Sequence, residues 1–434
     1  MAIRVLGLLM ACAGALGQIT VDDPRTTETG TASVTEVETP TGTYLSFASQ
    51  ETQDLGTMSD VASSLVSGNF SQSRVSTSSD TRTYLTGSLT STATGNFSTT
   101  TMATPTVTNT RPCNNYPEFC NRKYSNITEV ACHNSPFITP NNLAANQQYD
   151  VTYQLNDGVR FIQAQIQWPT NASQPHFCHT SCDILDAGPI TDWLTTVKNW
   201  VASHPYDVVT ILLGNGNYSV PSLYVPYIES TGILDYVYTP PLVPMTLNDW
   251  PTLAEMILSG KRVVMFLDYM ANQTEYPWLL DEFSQMWETP FDPIDNNFPC
   301  TVQRPPDLSD DDAKNRLYLT NHNLNVELSL LGTSMLVPAR GELNVTNAVN
   351  GTGSLGLAGE NCLKTWGRAP NFLNVDYYSV GSYPGSVFEA AANLNNVTYS
   401  RSCCGTTSAA AKYDFSGLRS FAFGLAGLAA LLLF

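Results

Sequence analysis

Residues 112–404 predict an α/β fold built on a parallel sheet, and three observations carry that reading. Short β-branched or apolar runs alternate with helical patterns along this stretch, and all the tryptophans and histidines of the chain fall within it. The composition changes abruptly at Pro112-Cys113. About 290 residues suit one large domain.

Candidate strands are Glu129–Cys132, Gly158–Gln167, Val208–Leu213, Arg262–Asp268, Leu317–Thr320 and Phe372–Asp376. Between them, 190–203 sets Ile190, Leu194, Val197 and Val201 on one face at helical spacing; 247–259 repeats the pattern, and 386–394 is a shorter example. Repeated strand, helix, strand gives either a (β/α)8-type barrel or an open doubly wound sheet, which differ only in closure. In both, chemistry belongs at the C-terminal ends of the strands. Trp193, Trp200, Trp250, Trp278 and Trp287 read as core residues on helical patterns. Asp310-Asp311-Asp312 reads as a solvated helix start, since no EF-hand spacing follows it.

The flanks read differently. Residues 1–17 carry Arg4, an apolar stretch from Val5 to Ala15 and small residues at Ala15 and Gly17, the pattern of a cleaved signal peptide. From Gln18 to Arg111, 40 residues are Ser or Thr, with no cysteine or tryptophan, so this segment is expected to be disordered and O-glycosylated. Residues 405–434 end in an uncharged run from Ser420 to Phe434, preceded by a short polar spacer and the small residues Ser408 to Ala411. That order is the pattern of a glycosylphosphatidylinositol (GPI) attachment signal, with the anchored residue within Ser408–Ala410. The chain is expected at the outer face of the plasma membrane or in the cell wall.

Ten cysteines less Cys12 leave nine in the mature chain, an odd count that leaves one outside intramolecular pairs. Cys178 and Cys182 are close enough to pair locally, while the adjacent Cys403 and Cys404 are expected each to reach elsewhere. Nine Asn-x-Ser/Thr sites fit the same secreted context. A formal net charge of −18 argues against nucleic acid as a partner.

His133 closes the first candidate strand, His179 lies after the second, and His322 ends a later one. Histidines at several strand ends converge on one mouth in a barrel. Two of them can serve as general base and general acid on a phosphodiester, since both titrate near neutral pH. No HExxH or paired CxxC accompanies them, which ranks zinc low.

The order Cys132-His133-Asn134-Ser135, Asp157 to Gln165, Cys178-His179-Thr180-Ser181-Cys182, the helix 193–203 and Asp207 to Leu213 resembles the catalytic X region of phosphatidylinositol-specific phospholipase C. The likeness runs from about Cys113 to Cys404 and is greatest to the secreted, GPI-anchored phospholipase-C-like phosphodiesterases of fungi. It implies a distorted TIM-type barrel, with His133 as general base, His179 as general acid and Asp376 orienting His133. Asn134 falls where bacterial members carry an aspartate. Gln163 and Gln165 stand where bacterial members place an arginine and metal-dependent members place acids, so no magnesium or calcium site of that type is expected and no cofactor. Positions near Gly214-Asn215 and Asp268, basic in bacterial members, are not basic here. Arg160 points away from Phe161 and Gln163 along the strand and is no less suited to a buried structural ion pair. Asn134, Gln163, Gln165, Asn215, Asp268 and His322 are the candidate substrate contacts.

The expectation is a monomeric surface phosphodiesterase of the phospholipase C type, acting on a phospholipid or related head group without metal. The alternative is an inactive barrel serving as a surface binding or cell-wall protein. Gln163 and Gln165 favour the second, and the joint presence of His133, His179 and Asp376 favours the first.

Overall fold

The computed structural model describes residues 44–47, 49–53, 111–330, 333–382, 384–401 and 403–404. The expected signal peptide at 1–17, most of the Ser/Thr-rich segment and the attachment signal at 405–434 lie outside them.

The strands of the α/β unit are β1 (Glu129–Cys132), β2 (Phe161–Gln167), β3 (His176–His179), β4 (Leu185–Pro189), β5 (Val209–Gly214), β6 (Val263–Leu267), β7 (Leu279–Asp281), β8 (Met286–Glu288), β9 (Leu317–Asn321), β10 (Asn325–Leu330), β11 (Thr333–Pro338) and β12 (Phe372–Val375). Eight of them run in the order β8-β9-β12-β1-β2-β5-β6-β7, with every pairing parallel. The sheet curls into a half-barrel. Its two ends, β7 and β8, do not pair with each other, being joined by the short helical turn Glu282–Gln285. The distorted barrel expected from the sequence is present in this open form.

Period-two alternation divides the strand residues between two cores. Val130, Cys132, Ile162, Ala164, Val209, Ile211, Val263, Met265, Leu373 and Val375 face outward to the helices. Ala131, Phe161, Leu212, Val264, Phe266, Leu319 and Phe372 face inward, and Phe119, Tyr124 and Trp250 complete that inner cluster. The longer helices are α1 (Val151–Asp157), α2 (Ile190–Ser203), α3 (Leu253–Ser259), α4 (Leu355–Trp366) and α5 (Ser386–Leu394). Helix α3 is shorter than the apolar pattern predicted. Pro251 and a capping box between Thr252 and Glu255 fix its start, and Gly260 at φ 74° ends it.

Asp310–Lys314 is a helix start capped by Ser309, as the sequence implied. Trp287 is a core residue, on a strand rather than a helix. Disulfides join Cys113 to Cys120, Cys178 to Cys182 and Cys300 to Cys362, leaving Cys132 free and buried. Cys403 and Cys404 pair with each other, against expectation; Cys404 takes a positive φ of 53° at that turn. All seven described sequon asparagines are exposed.

Part of the Ser/Thr-rich segment is docked on the α/β unit. Glu51–Thr52 pairs antiparallel with Leu242–Val243, Gln50 donates to Asp249 and to the Pro244 carbonyl, and Tyr44 packs edge-on against Tyr269 and Phe283. The composition of the whole segment conceals this short docking stretch.

Candidate active site

The inward positions of the alternation, continued past the strand ends, carry polar residues. On β1 the inward series runs from Ala131 to His133, on β12 from Phe372 through Asn374 to Asp376, on β6 from Phe266 to Asp268, and on β8 from Met286 to Glu288. Apolar packing at the base thus gives way to chemistry at the mouth. A cavity of about 550 Å³ opens there, lined by His133, Asn134, Gln163, Gln165, His179 and Asp268 among others.

Parallel register brings the first pair together. Cys132 lies opposite Val375, so the next residues, His133 and Asp376, emerge side by side. His133 Nδ1 lies 2.8 Å from Asp376 Oδ1, and Asn146 Nδ2 donates to the same oxygen at 2.9 Å. With the Nδ1 proton held by Asp376, Nε2 carries the lone pair, and Asn134 Nδ2 lies 3.1 Å from it. Gln147 ties the loop down, donating to the carbonyls of His133 and Val375. Burial alone would lower the His133 pKa, but the charge and hydrogen bond of Asp376, aided by Asp292 and Glu288, outweigh it and leave it raised.

His179 reaches the cavity by another route. Strand β2 continues into the antiparallel excursion β3–β4, and the Cys178–Cys182 disulfide closes the turn that carries His179. Its ring packs 5.1 Å from that of Phe137, and its Nδ1 is buried without a hydrogen-bond partner. Burial, and then the charge of His133, push its pKa down to about 4. The two imidazoles that share the cavity therefore differ in proton affinity.

Gln163 and Gln165 face the cavity from β2. The side chain of Gln165 lies over the end of β5: a Cβ at Gly214 would meet Gln165 Cγ at 2.8 Å, so any larger residue there requires its neighbours to shift. Asn215 is used structurally. Its amide donates to the carbonyls of Ser219 and Tyr269, and its own N–H donates to Asp268 Oδ1 at 2.6 Å. Burial raises the Asp268 carboxyl to about 6, against the charge of Arg304 and two backbone N–H groups.

His322 is placed elsewhere. It is buried against Phe298, with Nε2 2.9 Å from the Thr346 carbonyl, and it does not line the cavity. Arg160 is a structural ion pair, bonded to Asp207 at 2.6 Å and to the Leu155 and Val159 carbonyls.

Arg304 has no counterpart in the sequence reading. It lines the cavity, buried, with Nη1 2.9 Å from Glu288 Oε2 and Nη2 donating to the Tyr269 hydroxyl at 2.8 Å. Glu282, Glu288 and Asp292 line the cavity with it. Among the described residues, no group of three His, Cys, Asp or Glu side chains is disposed to hold a metal ion.

The fold and site define a parallel α/β half-barrel with a carboxylate-backed histidine and a second histidine at its mouth. The family profile described as PI-PLC X 1 matches residues 119–395, and the chain belongs to that family. An uncharacterised secreted protein of Arthroderma benhamiae is 47% identical over 91% of this chain and 90% of its own. The PI-PLC X domain-containing protein 1 of the same organism is 39% identical over 66% of this chain and 90% of its own. Among solved structures, the phosphatidylinositol-specific phospholipase C of Staphylococcus aureus, as its F249X mutant, is 14% identical, covers 64% of this chain and 95% of its own, and superposes with a TM-score of 0.42. That of Listeria monocytogenes is 14% identical over 67% and 96%, with a TM-score of 0.41.

Proposed function

We propose that the chain is a phospholipase-C-type phosphodiesterase of the cell surface, acting on a phospholipid or related head group without metal. The observation that carries this reading is one cavity lined by both His133, backed by Asp376, and His179. His133 Nε2 takes the proton of an attacking hydroxyl, whose oxygen forms a bond to phosphorus. The bond from phosphorus to the lipid oxygen breaks, and His179 donates a proton to that leaving oxygen. An anionic phosphodiester beside His179 favours its protonated form, against the burial that keeps it neutral in the empty cavity. Asp376 and Asn146 fix the ring of His133, and Asn134, Gln163, Gln165 and Asp268 contact the substrate.

Supporting a lipid substrate, Leu143, Met270 and Ile294 are exposed on loops that follow barrel strands, and Ile184 is exposed on the turn between β3 and β4. The surface location rests on the N-terminal signal pattern, the C-terminal GPI attachment pattern and the exposed sequons. Among the described residues, no helix is long and apolar enough to cross a membrane.

A second reading, a surface binding protein on the same barrel, draws on Gln163 and Gln165, which bring no charge to a phosphate. Assay of the full chain on a panel of phosphodiesters, with and without EDTA, separates the two. Turnover that is insensitive to EDTA and lost in His133→Ala and His179→Ala is expected. Equal turnover by variant and parent removes the histidines from any catalytic role.

A further inference from the structure

The cavity is electrically lopsided. Against His133 and His179 the lining sets four carboxyl groups, from Asp268, Glu282, Glu288 and Asp292, the last two close enough to His133 to raise its pKa. Arg304 is the only lysine or arginine among its described lining residues. Its charge is committed: Glu288 and the Tyr269 hydroxyl take its two terminal nitrogens, and the guanidinium lies over the rings of Phe283 and Phe291.

Two acids remain open. Among the described residues, the fully buried Glu282 carboxyl meets no donor side chain; its polar neighbour is the Glu288 carboxyl, with which it can only share a proton. Asp268 spends Oδ1 on the N–H groups of Asn215 and Tyr269, and no hydrogen bond uses Oδ2. The rings of Tyr218 and Tyr269, 4.9 Å apart, also border the cavity. A buried carboxyl without a donor is costly, so this lining lacks a donor that the protein does not itself provide.

We infer that the cavity takes a zwitterionic phosphodiester, its protonated amine seated against Asp268 and Glu282 and its phosphate between His133 and His179. The phosphate's position rests on the function proposed above; the amine's position does not. An ammonium group brings up to three N–H donors to the open carboxyl oxygens, and its charge is attracted to tyrosine faces. A neutral polyol brings donors but no charge to offset the acids. Burial holds the Glu282 carboxyl well above the usual range and Asp268 near 6, so an arriving ammonium shifts both toward the ionised form and binding releases protons.

The test is titration calorimetry of the full chain with glycerophosphoethanolamine and with glycerophosphoinositol, in two buffers of different ionisation enthalpy. Glycerophosphoethanolamine is expected to bind at least tenfold more tightly and to release protons, and Glu282→Gln and Asp268→Asn are each expected to abolish most of that preference. Equal affinities, or a preference that persists in a folded Asp268→Asn chain, overturn the inference, whether or not Glu282→Gln folds. His133-dependent turnover without amine preference sinks this inference alone. Amine preference without turnover sinks the proposed activity alone.

Discussion

Asp376 and His133, separated by 243 residues in sequence, lie 2.8 Å apart because their strands pair in parallel register. The carboxylate both orients the imidazole and raises its pKa. Replacing Asp376 with Asn keeps the shape and removes the charge. Turnover is expected to fall by about 10²-fold or more. The loss reads directly in kcat on whichever phosphodiester the parent chain cleaves.

The pH profile gives an independent check. In the free protein the pair is expected to titrate in two steps, a lower one at about 4 from His179 and an upper one from His133, raised by Asp376. A bell-shaped kcat/KM with those limbs is expected. In Asp376→Asn the upper limb moves to lower pH, since the group that raised it has lost its charge. An upper limb that stays fixed would remove His133 as its source.

Much of this site was legible in the sequence, and the part that was not has a physical reason. His133, Asp376 and Asp268 each follow an apolar strand whose alternation is visible, so their place at the mouth follows from period two. Arg304 follows no such strand. It enters the cavity through an isolated bridge to Glu288, from a loop with no periodicity of its own. Strands β7 and β8 are three residues each, too short for a pattern, and with them Glu282 and Glu288 escaped notice. His322 ends a strand but turns into the protein, because Phe298 and the Thr346 carbonyl claim both its face and its nitrogen. Tyr44 was hidden by the Ser and Thr around it.

The ion pair between Arg304 and Glu288 predicts its own stability signature. Both side chains are buried, so Arg304→Met strands a carboxylate and is expected to cost about 3–5 kcal/mol. Adding Glu288→Met should restore much of that. Urea unfolding of the parent, the two single variants and the double variant measures it, and two single costs that simply add in the double variant would contradict the coupling.

Gly214 offers a steric test. Its replacement by Ala drives a methyl group into Gln165, with Gln165 Cα also only 3.2 Å away, so the neighbouring strand and not merely a side chain must shift. A loss of about 1–3 kcal/mol is expected. Gly188, which has nothing within 4 Å of such a methyl but sits at φ 88°, serves as the comparison for backbone strain alone.

Stability should fall as pH rises from 6 to 8. Burial raises Asp268 to about 6, Asp281 to about 7 and Glu282 well above its usual range. A carboxyl raised in the folded state stabilises fully below its unfolded pKa, and that contribution is lost as pH climbs through the folded value. His179 and His322, both lowered to about 4, act in the opposite sense, but only up to about pH 6.5. Above that the raised carboxyls and His133, held protonated by Asp376, all act in the descending sense. Thermal unfolding at pH 6, 7 and 8 is expected to give a descending series.

Cys132 is the residue before His133, wholly buried and without a disulfide partner. Its thiol faces the helices while the next side chain faces the cavity, so a reagent reaches the sulfur only when the helical layer lifts from the back of the strand that carries the histidine. The protein thus contains its own clock. The rate at which a thiol-reactive dye marks Cys132 times the opening of the packing behind β1, with no label added at the mouth and no substrate required.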